Sequence, residues 1–352
     1  MADPWQDPDA DRVIDVVRRR FDLIRATRGE ADRRRRRFCL PGYDLDMTCA
    51  GVAAGDLLCL AFDHRRCETL EGRNPALQWR IGDAHGIAGL PPQPDPPTDL
   101  HPLGSLHRNA DNTVLIERRR GFTTVFDVAA MELTTIVDGP SAIDTDLVAK
   151  PLLRFLLPLL MRQGLVLCHA ALLGGRDAGL LVTGRGGSGK STISAAALLA
   201  GAGFCSDDFV ALERRGEALV GHCIYASIML GRGQIDHFPA LAAHALRLRR
   251  DVFEKHMVPV AAAFPGQVRD MLRIDAVAVP EIVAAPRSEL VTGSVADMLR
   301  AVAPTSVFSS PWREGERVRF LFDTISRLEP LAYRSGSDFG GIAAPLQARY
   351  GF

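Results

Sequence analysis

From residue 11 onward, Val13, Ile14, Val16, Val17, Phe21, Leu23 and Ile24 recur at helical spacing, and the stretch 11–37 closes on five consecutive arginines at 33–37. The pattern predicts an amphipathic helix whose basic end is solvated or faces a partner. Over 38–137 the apolar runs shorten or alternate, and 57–62, 77–81, 113–116 and 123–126 read as strands of a β-rich domain. Between them, 89–97 carries too many prolines for a helix or a ladder and reads as a loop or linker. A turn at Asp138-Gly139-Pro140 marks the expected domain boundary, and 144–162 reads as a helix leading into the second half. There the periods alternate: a short apolar strand at 179–183, an Ala/Leu-rich helix at 193–199 stopped by Gly201, and a strand at 203–206 that 209–212 continues. Further apolar runs follow at 276–279 and 281–284, with a helix at 295–302. Strands alternating with helices predict an α/β fold. Two domains are expected, an N-terminal helix with a β-rich unit over 1–140 and an α/β unit over 141–352.

Composition removes several function classes. With 352 residues, 47% hydrophobic and 24% charged, the chain can bury a core in each domain. Lys+Arg and Asp+Glu both number 42, so no global field favours nucleic acid or an anionic membrane. The arginine run has no interleaved aromatics and reads as a solvated edge, not as a nucleic-acid surface. Lysine occurs only at Lys150, Lys190 and Lys255, which draws attention to those three. Seven cysteines, an odd number with no C-x-x-C pair, read as buried thiols in a reducing compartment. No zinc site is expected, since His64 near Cys67 and His222 beside Cys223 lack further ligands. The acidic, proline-broken N-terminus is unlike a signal peptide and leads to a cytoplasmic expectation. Residues 152–160 are apolar, but Lys150, Arg154 and Arg162 cut them far below the ~20 residues a membrane span needs.

The chemistry concentrates at 165–212. Gly184-Arg185-Gly186-Gly187-Ser188-Gly189-Lys190-Ser191 fits the phosphate-loop pattern G-x-x-x-x-G-K-[ST] at every fixed position. A triphosphate must be wrapped by backbone N–H groups, and glycines let the chain curl that tightly. Lys190 would reach the β- and γ-phosphates and Ser191 would ligate Mg²⁺, while the helix opened by Ser191 and Thr192 would aim its positive end at the anion. Asp207 and Asp208, an acidic pair at a strand end beside such a loop, suit Mg²⁺ coordination and general-base work. The expected cofactors are ATP and Mg²⁺, with the base of the nucleotide not distinguished.

His169-Ala170-Ala171-Leu172, a glycine turn, the strand, the phosphate loop, a helix and then Gly203-Phe204 leading into Ser206-Asp207-Asp208 together resemble the catalytic core of the HPr kinase/phosphorylase family. The spacings from His169 to Lys190 and from Ser191 to Asp208 match that core. The resemblance implies a P-loop kinase core of the HPr kinase type, with Asp208 as the base for an attacking hydroxyl, His169 assisting at the γ-phosphate and Asp207 facing Mg²⁺. Thr192 stands where the bifunctional enzymes carry a glutamate, and nothing like their glycine- and arginine-rich signature follows. Phosphate removal is therefore not carried over. The chain looks more like kinase-like relatives in biosynthetic pathways, some of which phosphorylate a serine of a ribosomal precursor peptide such as a lasso-peptide precursor. In those relatives a later basic residue reaches the nucleotide. Lys255 is the candidate, with Arg249 and Arg250 as alternatives, and Arg232, in the turn Leu230-Gly231-Arg232-Gly233, could also approach substrate.

These readings point to a phosphotransferase moving the γ-phosphoryl group to a hydroxyl of a protein, peptide or small molecule, with neither nucleic acid nor membrane as partner. A non-catalytic ATP-binding module stays open at this level. So does the oligomeric state, a homo-oligomer included.

Overall fold

A computed structural model describes residues 5–70, 72, 74–92, 104–246, 248, 254–306 and 314–352. The chain divides into two compact units, one holding Met1–Phe155 and the other Leu156–Arg247 and Glu254–Phe352. Among the described residues no helix is long and apolar enough to cross a membrane.

In the first unit, α1 (Ala10–Thr27) turns Ala10, Val13, Ile14, Val17, Phe21 and Ile24 to one face. They bury against Ala50, Val114, Ile116, Val125 and Ile136 of a sheet. Each large apolar side chain so buried contributes about 1.5–3 kcal/mol, and this stripe holds the helix in place. The sheet contains β1 (Arg33–Leu40), β2 (Tyr43–Ala50), β3 (Arg66–Cys67), β4 (Ala76–Asp83), β5 (Ser105–Arg108), β6 (Val114–Arg119), β7 (Phe122–Asp127) and β8 (Glu132–Val137). Their order is β3-β1-β2-β4-β8-β7-β6-β5. The neighbours β2, β4 and β8 run parallel, and antiparallel pairs flank them.

Three expectations need correction here. The arginine run is not a helix end: it forms β1, where Arg35 pairs with Asp46 and Arg34 and Arg36 reach Asp56 at 3.6 and 2.5 Å. Residues 57–62 are not a strand, because α2 (Val52–Cys59) runs through them into a 3-10 turn, burying Leu58, Cys59 and Phe62. The single helix expected over 144–162 is two, α3 (Thr145–Ala149) and α4 (Leu153–Arg162), broken where Leu152 follows Pro151 with φ 59°. Residues 93–97 of the proline-rich loop lie outside the described residues.

The second unit is built on β9 (Val166–Cys168), β10 (Ala170–Gly174), β11 (Ala178–Thr183), β12 (Gly203–Ser206), β13 (Val210–Arg215), β14 (Ala218–Cys223), β15 (Ser227–Gly231), β16 (Lys255–Pro259), β17 (Met271–Ile282), β18 (Glu289–Thr292) and β19 (Glu329–Ser335). The main sheet runs β12-β10-β11-β17-β14-β13-β9, with β19 also on β17 and β18 on β19, while β15 and β16 pair separately. Two-residue alternation sends Ala171, Leu173, Leu180 and Val182 to one face, where they pack with Ile193, Ala197 and Leu198 of α5 (Lys190–Leu199). Ala170, Leu172 and Leu181 go to the other face, packing with Met298, Val302, Leu321 and Ile325 of the helices Val295–Ser306 and Glu314–Ile325. A sheet buried on both faces explains why these strands read as unbroken apolar runs, and the architecture is mixed α/β.

Two details depart from expectation. The runs 276–279 and 281–284 are largely one strand, β17. Residues 209–212 do not continue 203–206: β12 pairs with β10, whereas β13 pairs with β14 and β9. Asp207 and Asp208 therefore sit on a bend between two strands, and His169 likewise falls between β9 and β10.

Candidate functional site

The site begins where β11 ends. A Cβ at Gly184 would lie 2.8 Å from Ser188 Oγ and 3.3 Å from Ser188 Cβ, so the loop folds closely back on a glycine there. Gly189 takes φ +100°, a left-handed conformation, and hands the chain into α5 so that the first turn's amides face the loop. Arg185, Gly186 and Gly187 complete the turn, and the Ser188 hydroxyl is buried without a hydrogen bond.

Lys190, the first residue of α5, is 7% exposed, and its ammonium donates to Gly184 O at 2.7 Å and Arg185 O at 3.2 Å. Burial lowers its pKa; the Asp208 and Asp207 carboxylates oppose this, and the nearby Lys255 ammonium adds to it. These relations bring the lysine, the acidic pair and Lys255 into one electrostatic neighbourhood. Lys255 arrives there on β16, where it pairs with Gly231.

The acidic pair divides into two environments. Asp207 is 2% exposed; its Oδ2 accepts from the Met229 N–H at 3.2 Å, and its Oδ1 is buried with no hydrogen bond. Burial raises its pKa, Asp208 adds to the rise, and the Met229 N–H with the nearby Ser194 and Ser191 hydroxyls oppose it. Asp208 is more open and lies 2.5 Å, Oδ1 to Nε2, from His169. The imidazole packs on Phe209 with ring centroids 5.2 Å apart. His169 reaches Asp208 because the sheet changes partners at both places. Cys168 pairs with Val210 on one side of the break and Leu172 with Ser206 on the other.

The residues fit a divalent cation with a nucleotide. A carboxyl whose pKa burial raises is held ionised at little cost only when a cation satisfies it, and Asp207, with the Ser191 hydroxyl nearby, has an Oδ1 with no hydrogen-bond partner among the described residues. Both are hard oxygen donors of the kind Mg²⁺ takes. Among the described residues no three His, Cys, Asp or Glu side chains group as a metal site.

Of the residues singled out in the sequence, the loop, Lys190, Ser191, Asp207, Asp208, His169 and Lys255 come together. Thr192, on the first turn of α5, accepts from Gln234 Nε2 at 3.3 Å, which ties α5 to α6 (Arg232–Ile235). Arg232 is exposed at the start of α6, its N–H bonded to Glu254 O at 3.1 Å. Arg249 and Arg250 lie outside the described residues. The sequence did not point to Gln234, Met229 or Ser194. Only Ser194 left a trace, as a polar residue inside an apolar helix, four positions after Lys190, whose carbonyl its hydroxyl bonds.

No known family model matches the sequence, and no curated protein is similar to it. Among solved structures, the HPr(Ser) kinase/phosphatase from Coxiella burnetii aligns with 36% of this chain and 77% of its own length. The identity is 19% and the TM-score 0.23. A likeness so slight assigns neither fold nor activity.

Proposed function

We propose that the second unit binds ATP with Mg²⁺ and transfers the γ-phosphoryl group to a hydroxyl, a serine of a protein or precursor peptide. The observation that carries this reading is the meeting of a buried phosphate-loop lysine with two differently housed carboxylates, one buried beside Ser191 and one held by His169.

Lys190 exchanges its two carbonyl partners for phosphate oxygens, replacing neutral acceptors with charged ones and so adding ion-pair attraction to bonds that its own charge already strengthens. The loop amides and the first turn of α5 hold the remaining phosphate charge. Ser191 and Asp207 would hold Mg²⁺, which would supply positive charge against the triphosphate's negative charge. Asp208, oriented by His169, accepts the proton of the attacking hydroxyl while that oxygen bonds to the γ-phosphorus and the bridge to the β-phosphate breaks. Lys255 adds a second cation for the group in transit. Acceptor recognition falls, on this reading, to the first unit.

Incubation with γ-labelled ATP, Mg²⁺ and serine-containing peptides, run beside Asp208→Asn, tests the assignment. Label on serine in the wild-type reaction and its loss in the variant support it. Label moving only to water, or to a small-molecule hydroxyl in preference to peptide, contradicts the acceptor. No transfer to any acceptor contradicts the kinase.

A further inference from the structure

In the first unit, β3 is only two residues long and adds to β1 through the pairs Phe38↔Arg66 and Arg37↔Cys67. Cys39 lies two residues beyond Arg37 on β1, so it projects to the same face as Arg37 and its partner Cys67. The two sulfurs stand 2.8 Å apart and both side chains are half-buried. Two thiols at that separation need only a small further approach to bond, since a disulfide is about 2.05 Å long. The other five cysteines, Cys49, Cys59, Cys168, Cys205 and Cys223, are buried. Burial pushes the Cys49 and Cys59 thiols up, away from the reactive thiolate form.

We propose that Cys39 and Cys67 are a reversible oxidation site that forms an intramolecular disulfide on exposure to a hydroperoxide and fastens β3 to β1. One thiolate attacks the peroxide: its sulfur gains an oxygen as sulfenic acid, the O–O bond breaks, and the other fragment leaves as an alcohol after protonation. The second thiol then attacks that sulfur, the S–S bond forms, the S–O bond breaks and water leaves. Two thiols are oxidised by two electrons, and one peroxide is reduced to an alcohol and water. A dithiol reductant reverses the bond.

The test treats the reduced full chain with tert-butyl hydroperoxide, then counts thiols, weighs the intact chain and maps its peptides without reduction. Expected are the loss of two of the seven thiols, a mass lower by two hydrogen atoms, and a cross-linked peptide joining Cys39 to Cys67. Cys39→Ser and Cys67→Ser should each abolish the cross-link. Retention of all seven thiols under conditions that oxidise a small dithiol would overturn the proposal, as would a cross-link between two chains or through any other cysteine. Should a serine variant fail to fold, the wild-type peptide map decides alone.

Discussion

Two cations, the half-buried Arg119 of the first unit and the buried Lys190 of the second, are treated oppositely. In the first, Arg119 is hemmed in by carboxylates, with Glu117 at 3.0 Å and Asp144 and Asp146 each at 3.3 Å. Burial works against its charge, yet Glu117, Asp146 and Asp144 together hold its pKa above the ordinary value. In the second, Lys190 is bonded, among the described residues, to two carbonyls, and burial wins over the Asp208 and Asp207 carboxylates, so its pKa falls. Arg119 belongs to a closed network that the chain satisfies itself, which is how buried charges serve structure. On the proposed reading Lys190, beside an acid whose Oδ1 has no donor among the described residues, belongs to a set of charges left for something from outside. An anion that also brings a cation answers both deficits, and a nucleotide with Mg²⁺ is such a ligand.

The contrast predicts different failures. Asp208→Asn keeps shape and hydrogen bonding but cannot take a proton, so single-turnover transfer should fall ~10²–10⁴-fold while Mg·ATP binding persists. Full activity in this variant would remove Asp208 as base. Arg119→Met should act on stability, because it strands buried carboxylates. Its cost should be about 3 kcal/mol, at the low end for a broken buried pair, since Lys150 still bonds Asp146 at 2.7 Å and Arg154 still reaches Glu117 at 3.3 Å. Calorimetry of the variant should show an earlier transition with Mg·ATP binding retained; a variant as stable as the wild type would mean that the network does not hold the first unit. Asp207→Asn should raise the Mg²⁺ concentration for half-maximal activity roughly tenfold or more, with a smaller loss at saturating metal. An identical defect to that of Asp208→Asn would merge the two carboxylates into one metal site.

The smallest effect is in pH. The unfolded lysine keeps its proton up to about 10.5, whereas Lys190 in the fold releases it lower. Between those values the unfolded chain binds more protons, so the ligand-free chain gains stability as pH rises through that alkaline window. Phosphate raises the lysine's proton affinity again, so binding takes up a proton there and Mg·ATP affinity declines as pH climbs. Titration calorimetry in two buffers of different ionisation enthalpy at alkaline pH should reveal this uptake, and equal heats would contradict it.

Much of this was legible beforehand because the loop and its flanks impose hard local demands. Gly184 must admit Ser188, Gly189 must take a positive φ, and β11 must be apolar on both faces. These constraints fall on residue types and show in the string. The arginines of β1 did not announce a strand, since their extended state comes from pairing with β2 and from Asp46 and Asp56, which are distant in sequence. Residues 57–62 form a short apolar run that fits a strand or a buried helix equally, and packing of Leu58 and Cys59 decides for the helix. His169 and Asp208 could be named individually, but their 2.5 Å contact depends on two strands breaking at matching places. No local pattern encodes that register.

The central claim is that Lys190 is a cation awaiting a nucleotide's phosphates. Thermal-shift titration with Mg·ATP on the wild type and on Lys190→Ala addresses it directly, because a ligand that binds only the folded state raises the midpoint with its concentration. The wild type should shift progressively, and the variant should shift little or not at all over the same range, its turnover lost as well. A variant whose midpoint rises with Mg·ATP as the wild type's does would show that the nucleotide, if bound, is held elsewhere.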